Sequence, residues 1–123
     1  MAFDTELTCI SVDAAGDLSA ADYHPVKLDA SGKAVACSAV ADIAVGIVQN
    51  KPAVGQAATV AVAGVSKARA VGTIGAGALV APAASGLGVQ AAVSTNRVMG
   101  IALVGGVAGD IIPVLLSPGG QVL

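Results

Sequence analysis

The stretch at 43–65, IAVGIVQNKPAVGQAATVAVAGV, returns in altered form at 98–116, VMGIALVGGVAGDIIPVLL. Gly46–Ile47 matches Gly100–Ile101, Gly55 matches Gly109 and Val60 matches Val114, each pair 54 residues apart. The same step lays Ser31–Gly32 on Ser85–Gly86, Val26 on Val80 and Val35 on Val89. Placed without a gap over 79–116, residues 25–62 share 9 of 38 positions. The common phase of the glycines says more than the count, because the chain is rich in Ala, Val and Gly throughout. A chain that repeats its turn positions at a fixed step builds one local architecture twice. Two copies are too few for a solenoid, so they predict one closed, pseudo-symmetric domain.

The local pattern is that of strands. Val60, Val62 and Val65 alternate with small residues, as a half-buried strand requires. The spacing predicts a strand at 43–48, a loop at 49–56 that holds Pro52 and Gly55, and a strand at 57–65. Upstream, PVKL and KAVACS flank the turn DASG and predict a hairpin over 25–38. Downstream, Lys67 and Arg69 alternate with Ala68 and Ala70, which puts both cations on one side of a strand. The second copy predicts strands at 78–81, 89–92, 97–103 and 111–116. Pro113 lies inside the last of these and predicts an edge position for it. A helical 3.6-residue pattern is absent.

Before the copies, residues 1–16 read as an extended N-terminal arm in which Leu7, Cys9 and Ser11 alternate with Thr8, Ile10 and Val12. That stretch suits an arm docking on a partner and a first barrel strand equally. The β domain is expected over 17–118, with its related halves at about 25–62 and 79–116, and 119–123 form a tail.

Composition narrows the role. Hydrophobic residues make up 55% of the chain but aromatic ones only 2%, so the core is made of Ala and Val, which bury little area each. Charged residues are 11%, well below the usual quarter or so. A monomer this poor in charge exposes wide apolar surface, which predicts contact with other subunits. Charge is also uneven. Residues 1–42 carry seven acids against Lys27 and Lys33, a net of −5; residues 43–109 carry Lys51, Lys67, Arg69 and Arg97 and no acid, a net of +4; Asp110 closes the sum at −2. The two ends could complement each other across a subunit boundary, which makes Lys67, Arg69 and Arg97 candidates for that interface, or within one subunit. The acidic balance argues against a nucleic-acid partner. The longest apolar run, 98–109, is too short for a membrane span, and the N-terminus lacks a secretion pattern. Cys9 and Cys37 lack metal-ligand spacing and read as buried thiols in a reducing compartment, with a disulfide between them the alternative.

No constellation for catalysis stands out, and no cofactor or metal is expected. His24 has no His or Cys near it, the acids fall on predicted turns, and GTIGAG lacks the Lys-Ser/Thr ending of a phosphate loop. Lys51, in QNKPAVG, sits where a carrier domain would present a modified lysine, but its neighbours Asn50 and Pro52 depart from that motif.

Four stretches stand in a telling order: AAGDLSAADYHPVKLDASGKAVAC, VGIVQNKPAVGQAATVAVAGVSKARA, GAGALV and MGIALVGGVAGDIIPVLL. In that order they resemble the capsid decoration, or cement, proteins of tailed bacteriophages over roughly 17–118. The resemblance implies a small β-barrel or β-tulip-like fold and no enzyme activity. It implies a homotrimer that binds the major capsid protein on the outer surface of the expanded head, made in the host cytoplasm. The arm lies outside the matched part, and its apolar residues Phe3, Leu7 and Ile10 are the candidates for contact with the shell. A tail or fibre module is the alternative, with a carrier or small-ligand domain centred on Lys51 a further one.

Overall fold

The computed structural model describes residues 7–20, 22–83, 88–93 and 96–117. The fold is all-β. Its strands are β1 (Leu7–Asp13), β2 (Pro25–Leu28), β3 (Ala34–Ala36), β4 (Gly46–Val48), β5 (Ala57–Arg69), β6 (Leu79–Pro82), β7 (Val89–Ala91), β8 (Gly100–Ala102) and β9 (Ile111–Leu116). They form one antiparallel sheet in the order β3-β2-β4-β5-β9-β8-β6-β7, with β1 paired to β5.

The 54-residue step survives as hydrogen-bond register. Pro25 faces Ile47 as Leu79 faces Ile101, and Ile47 faces Ala61 as Ile101 faces Leu115. Even the loop caps repeat: the Gln56 side chain accepts from the Ala53 N–H at 2.8 Å, and Asp110 accepts from the Val107 N–H at 2.9 Å. The hairpin β6–β7 departs from the step by one residue. Val26 faces Ala36, whereas Val80 faces Ala91, so the second turn holds one residue more and the ungapped match of Val35 with Val89 is out of register.

Strand β5 is longer than the alternation predicts, because it serves both copies. Its first half pairs with β1 and β4, its second half with β9. Strand β1 stands to the first copy as the second half of β5 stands to the second: Asp13 faces Ala57, and Arg69 faces Ile111. Each copy then closes on itself. A parallel bridge joins Ala14 to Ala34 in the first and Ala70 to Val89 in the second. The described residues thus form two five-stranded barrel-like units that share β5. The stretch 7–13 of the arm segment lies in the first unit, paired along its length with β5.

Three strand expectations are corrected. Residues 43–45 lie outside β4, which begins at Gly46, and residues 97–99 and 103 lie outside β8, which is Gly100–Ala102. Strand β9 is internal, between β5 and β8, so Pro113 is not on an edge. The reason is visible in the other copy. The equivalent residue, Thr59, donates its N–H to the Asn50 side chain at 3.0 Å rather than to a strand. The ladder therefore loses nothing where proline has no N–H.

Two buried clusters hold the units. The first unit is filled by Val26, Ala34, Val48, Ala58 and Val60, plugged by Ala14 and Leu18. The second is filled by Val80, Val89, Ala102, Ile112 and Val114, plugged by Ala70 and Ile74. This second cluster also takes in Cys37, Ala44, Ile47 and Ala61 of the first unit, which welds the two together. Close approach demands glycine at one repeated place: a Cβ on Gly46 would strike the Ala61 carbonyl, and one on Gly100 the Leu115 carbonyl. Neither carbonyl can yield without breaking the ladder. Gly46→Ala and Gly100→Ala are each expected to cost about 3 kcal/mol or more in urea unfolding, the upper end of overpacking. Gly16→Ala, which meets nothing within 4 Å, is expected to stay within about 0.5 kcal/mol.

Candidate docking surfaces

The polar side chains are mostly spent on building turns. Asp29 Oδ1 accepts from the N–H groups of Ser31 and Lys33, both at 2.9 Å, and holds the DASG turn whose Gly32 has a φ of 77°. The Ser19 side chain first, and the Ser19 N–H that Asp17 accepts at 3.0 Å second, hold the Asp17 carboxyl below the usual value. Asp42 is drawn both ways. Burial raises it, but the N–H groups of Ser38 and Ala39 and the Lys27 ammonium at 3.1 Å outweigh burial and leave it lowered. Among the described residues no three His, Cys, Asp or Glu side chains converge on a point where a metal could sit.

The interface cations fall in different settings. Lys67 is exposed, with its Nζ 5.9 Å from the centre of the Tyr23 ring. Arg69 lies 4.0 Å from Asp22 of the same chain, so part of the acidic–basic complementarity is made within the subunit. Arg97 is half-buried, and its backbone N–H donates to the Val40 carbonyl at 2.9 Å. Lys51 is exposed in the loop between β4 and β5.

Surface apolar residues are more telling. Leu7 borders a groove of about 670 Å³ with Tyr23, Val65, Lys67, Ile111 and Pro113. Ile10 is exposed too, but it faces Val60 across the ladder and so lies on the inner side of its unit. Phe3 lies outside the described residues. Ile101, Ile111 and Leu115, which composition alone could not single out, form an exposed apolar group on β8 and β9. The sequence signal was available in the repeat, since Leu115 stands where the first copy has Ala61.

No family model matches the chain, and no curated protein matches it. Among solved structures it is similar to the N-terminal base of the head fiber protein gp8.5 of bacteriophage phi29. The two share 14% identity with a TM-score of 0.68, over 91% of this chain and 95% of that one. That likeness shows a shared fold.

Two titratable groups report on burial. Cys9 and Cys37 are both free; Cys37 is buried as expected, while Cys9 is exposed on β1. Burial, with the Asp42 charge adding to it, pushes the Cys37 thiol up to about 12. A maleimide is expected to modify Cys9 in the folded protein and Cys37 only after unfolding, as counted by intact mass. His24 is buried, and neither ring nitrogen has a hydrogen-bond partner. Burial first, and the Arg69 charge second, lower its pKa, against the opposing pull of Asp22. The folded imidazole stays neutral where the unfolded one, near 6.5, takes a proton. Its contribution is therefore present above about pH 6.5 and lost as pH falls towards the lowered folded value. The Tm is expected to drop on going from about pH 7.5 to about pH 5, and His24→Gln to flatten that drop.

Proposed function

We propose that the chain is a structural virion protein that binds the outside of an expanded phage head as a homotrimer and stabilises the shell. The observation that carries the reading is the fold it shares, over nearly all of both chains, with a phage head fiber base. The order of its glycine-based motifs supports the same reading. Its partners are the major capsid protein and further copies of itself. The role needs no cofactor and no catalytic step.

The physics suits such a task. Small Ala and Val side chains fill two closed units, so little is left to order on docking, and the entropy lost on binding is small. A trimer that bridges several capsid subunits gains by effective concentration what each weak contact lacks. Phe3 and Leu7 make the shell contact, since Ile10 lies on the inner side of the first unit. The fiber-base likeness also favours a second reading, in which the chain is the base of a head-borne fibre.

Co-sedimentation with expanded, undecorated heads of its own phage's major capsid protein tests both. Saturable binding at a stoichiometry near that of the shell subunits is expected for decoration, and binding confined to a few positions per head would favour the fibre base. No binding by folded protein would overturn both. Removing residues 1–6, which spares β1, is expected to weaken head binding while leaving the Tm unchanged.

A further inference from the structure

The repeat makes one contact inside the chain and leaves both of its half-surfaces open at the ends. Inside, the wall of the first unit, formed by Pro25, Ile47 and Ala61 in one ladder row, is fully buried, with Ile47 and Ala61 at 0% exposure. Ile47 and Ala61 share a single core cluster with Met99 and Leu116, inner residues of the second unit. Gln49, one step along the same wall, donates from Nε2 to Ser66 Oγ at 2.8 Å, and Ser66 is another inner residue of the second unit. The wall of the first unit therefore seats the inner rim of the second.

The same positions are less buried in the other copy. The wall row of the second unit is Leu79, Ile101 and Leu115, and Ile101 is 37% and Leu115 42% exposed. The rim of the first unit, where Ile10, Val45 and Val62 stand for Ser66, Met99 and Leu116, is open as well: Ile10 is 37% exposed and both valines are half-buried. One unit shows a bare wall and the other a bare rim of the kind already seen joined.

The substitutions between copies are complementary. The polar pair Gln49 and Ser66 of the internal contact is replaced at the open surfaces by Leu103 and Ile10, both apolar. Sizes change on both sides: on the wall Ala61 becomes the larger Leu115, and on the rim Ser66 becomes the larger Ile10 while Met99 and Leu116 become the smaller Val45 and Val62. The polarity of the facing positions changes together, which keeps polar against polar inside the chain and apolar against apolar at the open surfaces.

We infer that the open surfaces are joined between copies of this chain: the wall Leu79–Ile101–Leu115 of one copy seats the rim Ile10–Val45–Val62 of the next, repeating the internal contact. The occupant of the apolar wall is a second copy, because the surface it fits is already displayed, joined, within each subunit. The contact is heterologous, so copies add head to tail and growth ends only when a ring closes. The inference rests on no property of a phage head and is tested on the protein alone, so it can fail while head binding stands.

The experiment uses the full chain and two exposed-site variants, Ile101→Glu with Leu115→Glu on the wall and Ile10→Glu on the rim, with molar mass read by light scattering after gel filtration. Ile10→Ser, which carries the side chain type of its counterpart Ser66, serves as a milder rim variant. Circular dichroism and Tm establish that each is folded. Wild type is expected to be an oligomer and each variant a monomer. Mixed in equal amounts, the wall and rim variants are expected to form dimers and nothing larger, because one intact wall meets one intact rim and both remaining surfaces are spoiled. Monomeric wild type, a variant that keeps the wild-type mass, or a mixture that stays monomeric would each overturn the inference.

Discussion

The structure depends on one strand belonging to two units. β5 is last in the first unit and first in the second, and its thirteen residues meet β1 and β4 at one end and β9 at the other. A two-unit chain joined by a loop could set its halves at many angles. A chain joined by a continuous ladder cannot, because backbone pairing on both sides of the junction fixes where the second unit lies. The seat that Ile47 and Ala61 offer the second unit is usable because β5 delivers that unit to it.

Much of this was legible in the sequence, and for a physical reason. Glycines at 46, 55, 100 and 109 occupy places where a side chain would strike a carbonyl or where φ is positive, so they cannot drift, and their phase reports the register of the ladder. The two copies and the step between them follow from that phase, while the order of the strands in the sheet does not. Valine alternation located both ends of the hairpin around Gln49–Gln56. The apolar wealth and scarce charge predict exposed apolar surface, and such surface appears at Ile101 and Leu115.

What was not legible is what depends on hydrogen bonds across the fold. Pro113 looked like an edge residue because the rule concerns N–H groups within a ladder; only the structure shows that its counterpart Thr59 gives its N–H to the side chain of Asn50. The dual service of β5 was hidden because its second half matches β1 at a step of 56 residues, while the rest of the repeat keeps 54. The added residue in the second hairpin was hidden by Val89, which lines up with Val35 in sequence but takes the place of Ala34 in the bridge to the plug segment. Charge alone does not say that Arg69 meets Asp22 of its own chain.

A strand common to two closed units also ties their fates together. Opening the first unit removes the partners of half of β5, and the other half is then the frayed margin of a sheet whose inner rim has lost its seat. Neither unit can therefore open far by itself, and slow amide exchange should spread as one cooperative block from Val48 through β5 to Val114 rather than as two independent ones. For a protein built of small side chains, whose individual contacts are weak, such indivisibility converts many modest gains into a single barrier to unfolding.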